Sequence, residues 1–293
     1  MGQDLYEKSR AARKVFKEAD KALGVGLTEL MFQGPAKTLE QTINSQPAIL
    51  TVSLACLAAA KEKAGDAMEA NVKFMAGHSL GEYSALAAAG VIDVSEAVWL
   101  VRERGRLMQE ACDKSPGTMA AILGLDEEAL EEVCKETGTQ IANINSPGQI
   151  VISGEQAGVE KALELALARG AKRALPLKVS GAFHSYLMGP ALDGMIKTLD
   201  QVQFRNPVVP VVANCTGKPM TASWEVKEEL LQQLCGCVRW QDVVSYMATT
   251  GVTSFVEFGP GRVLSGLVKR TVSNVQVAYV NDAKSAQNLG NAR

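Results

Sequence analysis

The chain has 293 residues, 47% of them hydrophobic and 21% charged, with a formal net charge of −2. Its length supplies one large or two modest domains with ample core, and its composition is that of an ordinary globular enzyme. A near-neutral balance excludes a general nucleic-acid binder, which needs a basic surface. No apolar run reads as approaching the ~20 residues of a membrane span, and the polar start from Met1 to Lys17 does not fit a signal peptide. The expected location is therefore cytoplasmic, with no part played by a membrane.

In chain order, residues 2–22 read as an amphipathic helix with Leu5, Ala12, Val15, Phe16 and Ala19 on one side. Ser45 opens a second helix, with Pro47 in its first turn, that runs to about Ala64 and is apolar enough to be well buried. Residues 72–76 read as a buried strand, and 80–89 as a helix ended by Gly90. Asp93 or Ser95 caps the next helix, which reaches about Cys112. Ser115-Pro116-Gly117 then breaks the rhythm.

Next come a strand (118–123), a helix (126–136), two strands around a Ser146-Pro147-Gly148 turn (140–144 and 149–153), a helix (155–169) and a strand (171–179). That β-α-β-β-α-β order is the split βαβ unit of ferredoxin-like domains. Beyond it lie a helix near 191–199, a strand (208–213), a helix (226–234), a strand (254–258), a glycine turn and a helix (263–271). The expected fold class is α/β: a larger α/β-hydrolase-like domain with a parallel sheet, made of 1–115 and 183–293. A smaller ferredoxin-like domain, 116–182, is inserted into it, with a cleft between the two.

Gly77-His78-Ser79-Leu80-Gly81, at the strand-to-helix turn, has a glycine two residues either side of a serine. This is the nucleophile-elbow pattern. Glycines at both positions are expected to let strand and helix approach closely while Ser79 sits at the tip of the turn. The helix start aims free N–H groups, Leu80's first, at negative charge forming beside the serine oxygen. A serine needs a base, and the chain has two histidines. His78 is adjacent to Ser79, and neighbouring strand residues point to opposite sides. By elimination the base is His184. No Asp or Glu between them sits on an evident strand-ending loop, so a backbone or amide carbonyl can stand in for the usual third carboxylate.

Arg104 lies on one helical stripe with Ala97, Val101 and Met108. A guanidinium on an apolar line must be paired, either structurally or by a substrate carboxylate. The six cysteines, Cys56, Cys112, Cys134, Cys215, Cys235 and Cys237, lack the Cys-x-x-Cys spacing of a zinc site. They read as reduced core thiols, and no metal is assigned.

Together these pieces resemble the malonyl-CoA:acyl-carrier-protein transacylase family of bacterial fatty-acid synthesis. The resemblance runs through Gln46-Pro47-Ala48-Ile49-Leu50, the stretch from Gly77 to Leu86, Arg104-Gly105 with Met108-Gln109, Asn145-Ser146-Pro147-Gly148-Gln149, Gly181-Ala182-Phe183-His184-Ser185 and Glu257-Phe258-Gly259-Pro260-Gly261. It implies a two-step acyl exchange with malonyl-CoA and acyl carrier protein as partners and no cofactor. Ser79 becomes the acylated nucleophile, His184 its base, Leu80 an oxyanion donor through its N–H, and Gln233 the carbonyl in place of the triad acid. Arg104 becomes the clamp for the malonyl carboxylate, with Met108 and Phe183 beside the substrate. A ring at position 183 matches the form that takes unbranched malonyl units. Asn145 matches a family asparagine near the cleft, although a turn residue also reads that way.

The family opens with a strand and a Gly-Gln-Gly-Ser-Gln-type loop, and this chain starts inside the match, so the expectation is that a core strand and a second oxyanion donor lie upstream of Met1. Carrier proteins of this type are acidic, which makes Lys172, Arg173, Lys269 and Arg270 candidates for docking. Two rivals remain at this stage: a serine thioesterase or hydrolase with the same elbow, and a weakened carrier-protein docking module.

Overall fold

In the computed structural model, which describes residues 1–68 and 71–291, the apolar spacing of the first third becomes a stack of helices. Two of them, α1 (Gln3–Lys8) and α2 (Arg10–Leu23), replace the single helix expected over 2–22. Ser9 makes the break. Its backbone is extended, and its hydroxyl accepts the Ala12 N–H at 3.0 Å, as an N-cap does. Leu5, Ala12, Val15, Phe16 and Ala19 are all buried. The short α3 (Leu27–Gln33) and α4 (Ala36–Glu40) carry no strong sequence signal.

The long α5 (Thr42–Ala64) starts three residues earlier than Ser45, so Pro47 lies inside it. Proline cannot donate to the carbonyl one turn back, and Arg102 Nη1 donates to that Ile43 oxygen instead, at 3.3 Å. By length and composition α5 is apolar enough to cross a membrane, which corrects the sequence reading. Yet 67% of its most apolar window is buried inside the protein, so it serves as a core helix.

The strand expected over 72–76 shrinks to one parallel bridge, Met75 with Val211. Met75 donates to Pro210 O and accepts from Val212 N, each at 2.9 Å. The next rung would need an N–H on Pro210, which proline lacks. After this come α6 (Leu80–Ala88) and α7 (Val94–Lys114). Of the two candidate caps Asp93 is the one used, and Glu96 accepts its N–H at 3.0 Å.

Residues 118–176 build a separate antiparallel sheet from β1 (Thr118–Leu123), β2 (Gln140–Ser146), β3 (Gln149–Gly154) and β4 (Arg173–Pro176), in the order β2-β3-β1-β4. The sheet is covered by α8 (Glu127–Thr137) and α9 (Gln156–Ala168) over a core that includes Ile122, Leu130, Val133, Ile152 and Val159. Strand β4 is shorter than the expected 171–179, because Ala171 N–H turns back to close α9 on Ala166 O at 2.9 Å. The free edge of β2 is stitched to the rest of the chain: Ile144 N–H reaches Val238 O, and Val238 N–H reaches Ala142 O.

A 3₁₀ turn (Tyr186–Ala191) leads into α10 (Leu192–Leu199). The strand expected over 208–213 is reduced to β5 (Val211–Val212), which pairs with β6 (Pro219–Met220); Pro210 has no N–H to donate, and the Val208 N–H goes to Ala89 O at 2.9 Å. Then follow α11 (Ser223–Cys235), an unexpected α12 (Trp240–Thr249), β7 (Ser254–Phe258), α13 (Val263–Thr271), β8 (Gln276–Val280) and an unexpected α14 (Ala283–Asn291). Strands β7 and β8 are parallel and joined through α13, the crossover that parallel strands require. The expected parallel sheet is present as this pair and the Met75–Val211 bridge.

Helix α7 crosses α5 at Gly105, where a Cβ would come within 2.7 Å of Thr42 O and 2.8 Å of Ile43 Cα. Backbone cannot yield there as a flexible side chain does. Gly105→Ala should therefore cost about 1–3 kcal/mol, the usual effect of overpacking, measured as a lower midpoint in denaturant unfolding. An unchanged midpoint would mean that the two helices do not meet this closely.

Candidate active site

The turn between Met75 and α6 holds Ser79 at φ 51°, ψ −110°, a strained conformation for a residue with a side chain. Gly77 makes the turn possible, since a Cβ there would lie 1.9 Å from Gly81 O. Gly81 itself is not needed for space: a Cβ on it would meet nothing within 4 Å. The sequence expectation of two obligatory glycines is corrected to one.

His184 enters from the other side of the insertion, also at positive φ, 56°. Its Nε2 lies 2.7 Å from Ser79 Oγ, and its Nδ1 lies 2.8 Å from the Gln233 backbone oxygen. A carbonyl can only accept, so Nδ1 carries the proton and Nε2 presents its lone pair to the serine hydroxyl. Burial, and then the charge of Arg104, push the His184 pKa down from 6.5 to about 3. The ring is thus neutral and ready to accept a proton. His78 points away, with Nε2 2.8 Å from Asn145 Oδ1 and its ring against Trp240. It ties the elbow to β2, and Asn145 is its partner.

Arg104, Ala97, Val101 and Met108 are all buried on one face of α7. Arg104 is only 2% exposed; its guanidinium lies 5.4 Å from the centre of the Tyr83 ring, and its hydrogen-bond acceptors among the described residues are neutral oxygens. Nη1 donates to Gln46 Oε1 at 2.7 Å, and Nη2 donates to Gln233 Oε1 at 2.9 Å and to Ser79 Oγ at 3.3 Å. Nε has no acceptor. A buried guanidinium short of an anion is costly, and this one stands beside the serine oxygen. Met108 touches the arrangement through its sulfur, which accepts from Gln46 Nε2 at 3.4 Å. Phe183 is half-buried and packs against the large core and against Met119, Ala142 and Val151 of the small sheet. Leu80 opens α6, where its N–H is free of a helical acceptor.

Two residues of the site escaped the sequence reading. Asn214 Oδ1 accepts the Ser79 N–H at 2.6 Å, while its Nδ2 donates to Gly77 O at 2.8 Å. Glu82, fully buried, accepts from Asn214 N at 2.8 Å and from Gln233 Nε2. Burial and the neighbouring Glu229 push its pKa well up, against the pull of these donors and of Arg104. The spacing of Glu82, three residues after Ser79 in the first helical turn, was a usable signal; Asn214 offered none. Lys172, Arg173, Lys269 and Arg270 are exposed. All six cysteines are unpaired, and burial raises every thiol pKa, Cys56 and Cys237 to about 12.

The family model described as "Acyl transferase domain" matches residues 1–293. Malonyl CoA-acyl carrier protein transacylase of Bacillus subtilis is 47% identical over 292 residues, covering 98% of this chain and 90% of that protein. Among solved structures, the acyl-carrier-protein-S-malonyltransferase of Bartonella henselae superposes with a TM-score of 0.94 at 43% identity, covering 98% of this chain and 93% of its own. A malonyl-transacylase in complex with its type II PKS acyl-carrier protein gives 0.93 at 42% identity, covering 99% and 94%.

Gly77→Ala should disrupt the elbow, costing several-fold more stability than Gly81→Ala, which meets open space and should shift the thermal midpoint little. Equal shifts for the two would contradict this geometry. Burial lowers both histidine pKa values from 6.5, that of His184 to about 3, so the His184 imidazole should not titrate between about pH 8 and 5 by NMR. At His184 the unfolded chain takes up a proton as pH falls through 6.5 and the folded chain does not until about 3. That ring therefore makes the fold less stable across this falling window.

Proposed function

The chain belongs to the acyl transferase domain family, and from that premise we propose that it moves malonyl from coenzyme A to the phosphopantetheine thiol of acyl carrier protein through malonyl-Ser79. His184 Nε2 takes the proton of Ser79 Oγ as that oxygen bonds to the thioester carbonyl carbon. The carbonyl oxygen takes up negative charge facing the Leu80 N–H. As the carbon–sulfur bond breaks, the proton passes from Nε2 to the departing coenzyme A sulfur. In the second half the carrier thiol gives its proton to Nε2, its sulfur bonds to the acyl carbon, and the carbon–oxygen bond to Ser79 breaks with return of the proton. Gln233 O, by holding Nδ1–H, keeps the ring in the one tautomer able to do this in both directions. No metal or organic cofactor enters any step.

The observation that carries this reading is the buried Arg104, set among neutral oxygens 3.3 Å from Ser79 Oγ. A malonyl group on that oxygen brings its free carboxylate to the guanidinium, which gains the anion it otherwise lacks and holds the acyl group in place. A hydrolase of neutral esters has no use for such a cation. Met108 backs Gln46, and Phe183 occupies space that an α-methyl would need. An acidic carrier suits the exposed Lys172, Arg173, Lys269 and Arg270. The reading also takes 116–182 as the inserted domain, between 1–115 and 183–293, and the cytoplasm as the working place.

Incubation with malonyl-CoA followed by intact-mass measurement should show one malonyl adduct on the wild type and none on Ser79→Ala. A bare wild-type mass would instead support a docking module. Arg104→Ala should lower kcat/KM for malonyl-CoA by roughly a hundredfold, as befits a charge-assisted contact worth about 3 kcal/mol. Acetyl-CoA should be spared or improve. Equal losses for both thioesters would make the arginine purely structural.

A further inference from the structure

We infer that Glu82 is a positioning residue for substrate selection: through the side-chain amide of Gln233 it sets the orientation of Arg104, and through Asn214 it sets the Ser79 turn. The inference rests on the malonyl-transfer reading above and deepens it. Glu82 and Gln233 are both fully buried, and the Gln233 amide is used at each end. Its Oε1 accepts from Arg104 Nη2 at 2.9 Å; its Nε2 donates to Ser79 O at 3.0 Å and to Glu82 Oε2. Reversing that amide would set an NH₂ against the guanidinium and a carbonyl against the Ser79 carbonyl.

Groups that accept on this side fix the observed orientation, and beside the Ser79 carbonyl the one side chain among those described that does so is Glu82, through Oε2. The other carboxyl oxygen, Oε1, accepts from Asn214 N at 2.8 Å and from Asn214 Nδ2 at 3.2 Å. Asn214 is thereby turned so that its own Oδ1 faces the Ser79 N–H. One carboxyl group thus orients two amides that hold the serine from both sides, and the guanidinium follows from the first of them.

A glutamine at position 82 would carry one acceptor and one NH₂. Whichever way it sits, the NH₂ meets donors, either those of Asn214 or that of Gln233. Where it meets Gln233, the cheapest relief is reversal of the Gln233 amide, which turns a donor towards Arg104 and displaces the guanidinium. Malonyl, which needs the guanidinium, should suffer more than acetyl, which does not.

The test measures kcat/KM for malonyl-CoA and acetyl-CoA in wild type, Glu82→Gln, Gln233→Met, the double variant and Arg104→Ala, with thermal unfolding of each. Gln233→Met removes the amide but keeps the backbone oxygen that holds His184. Each single variant should lower the malonyl-to-acetyl ratio at least tenfold, mainly by raising KM for malonyl-CoA. The double variant should fall no further than the worse single one, since both break one path. Equal losses for both thioesters in Glu82→Gln, or single effects that multiply in the double variant, would overturn the inference alone. Should Glu82→Gln fail to fold, Gln233→Met decides, and an unchanged ratio there overturns the inference. A wild type that takes up no malonyl, or an unchanged ratio in Arg104→Ala, overturns the functional reading and this inference with it.

Discussion

A guanidinium held 2% exposed against neutral oxygens dictates much of what surrounds it. Removing a charge from water costs several kcal/mol even after relaxation, so Arg104 requires every acceptor it can reach. Gln46 on α5 and Gln233 on α11 supply two, from helices far apart in sequence. Both amides are themselves anchored, Gln46 by the hydroxyl of Thr42 at 2.8 Å and Gln233 by Ser79 O and Glu82. The arrangement serves both terminal nitrogens of the arginine, leaves Nε without an acceptor and does not neutralise the charge. That difference separates a cation available to a carboxylate from one consumed by an internal ion pair. The paired arginines among the described residues are elsewhere: Arg106 with Glu103 and Glu110, Arg169 with Glu136, Arg205 with Asp93, and Arg239 with Glu127 and Asp242 lie on or near the surface, where such pairs are worth little.

Gln233 is where the requirements of charge and of proton transfer meet. Its backbone oxygen fixes the tautomer of His184, and its side chain bridges Arg104 to Glu82. A backbone carbonyl has an advantage over a carboxylate in that place. It orients the ring without adding negative charge, which would otherwise pair with Arg104 and weaken its hold on a substrate anion. The same absence of a carboxylate leaves the imidazole depressed to about 3 by burial and by the arginine. In the proposed transfer such an imidazole takes a proton in concert with bond formation, while the negative charge developing opposite it compensates the new positive one.

How much of this was legible in the sequence depends on the range of the interaction involved. Three strands of the small sheet could be read to within two residues, because the turn between β2 and β3 carries Pro147-Gly148 and Asp126 caps α8 in the ordinary way, while β4 is shorter than read. Ser79, His184 and Arg104 emerged from an elbow pattern, a count of histidines and a helical stripe. The misread strands, 72–76 and 208–213, are apolar enough, but Pro210 denies the ladder a donor beside the Met75 bridge and the Val208 N–H is used by Ala89 O; periodicity registers side chains and ignores missing N–H groups. Ser9 was passed over because a cap inside an otherwise periodic stretch leaves the hydrophobic spacing intact. Asn214 and the side-chain role of Gln233 had no local signature, since each derives its meaning from partners more than 100 residues away.

The placement of strain completes the argument. Ser79 and His184 are two of the three non-glycine residues at positive φ among those described, the third being Asn274. Such conformations cost of order 1–3 kcal/mol each and persist only when their surroundings over-determine them. Around Ser79 the determinants are Asn214 on its N–H and Gln233 on its carbonyl. Around His184 they are Gln233 on the ring and the Ser185 hydroxyl, which donates to Ala182 O at 2.7 Å. The two halves of the site are also joined from outside, by His78 with Asn145 and by Val238 along the edge of β2. Ser79 Oγ and His184 Nε2 therefore remain 2.7 Å apart although they belong to segments separated by the whole small sheet. In this fold the small sheet is bonded both to the serine turn, through Asn145, and to the stretch just after α11, through Val238, and these contacts tie together the segments that bring His184 within hydrogen-bonding reach of Ser79.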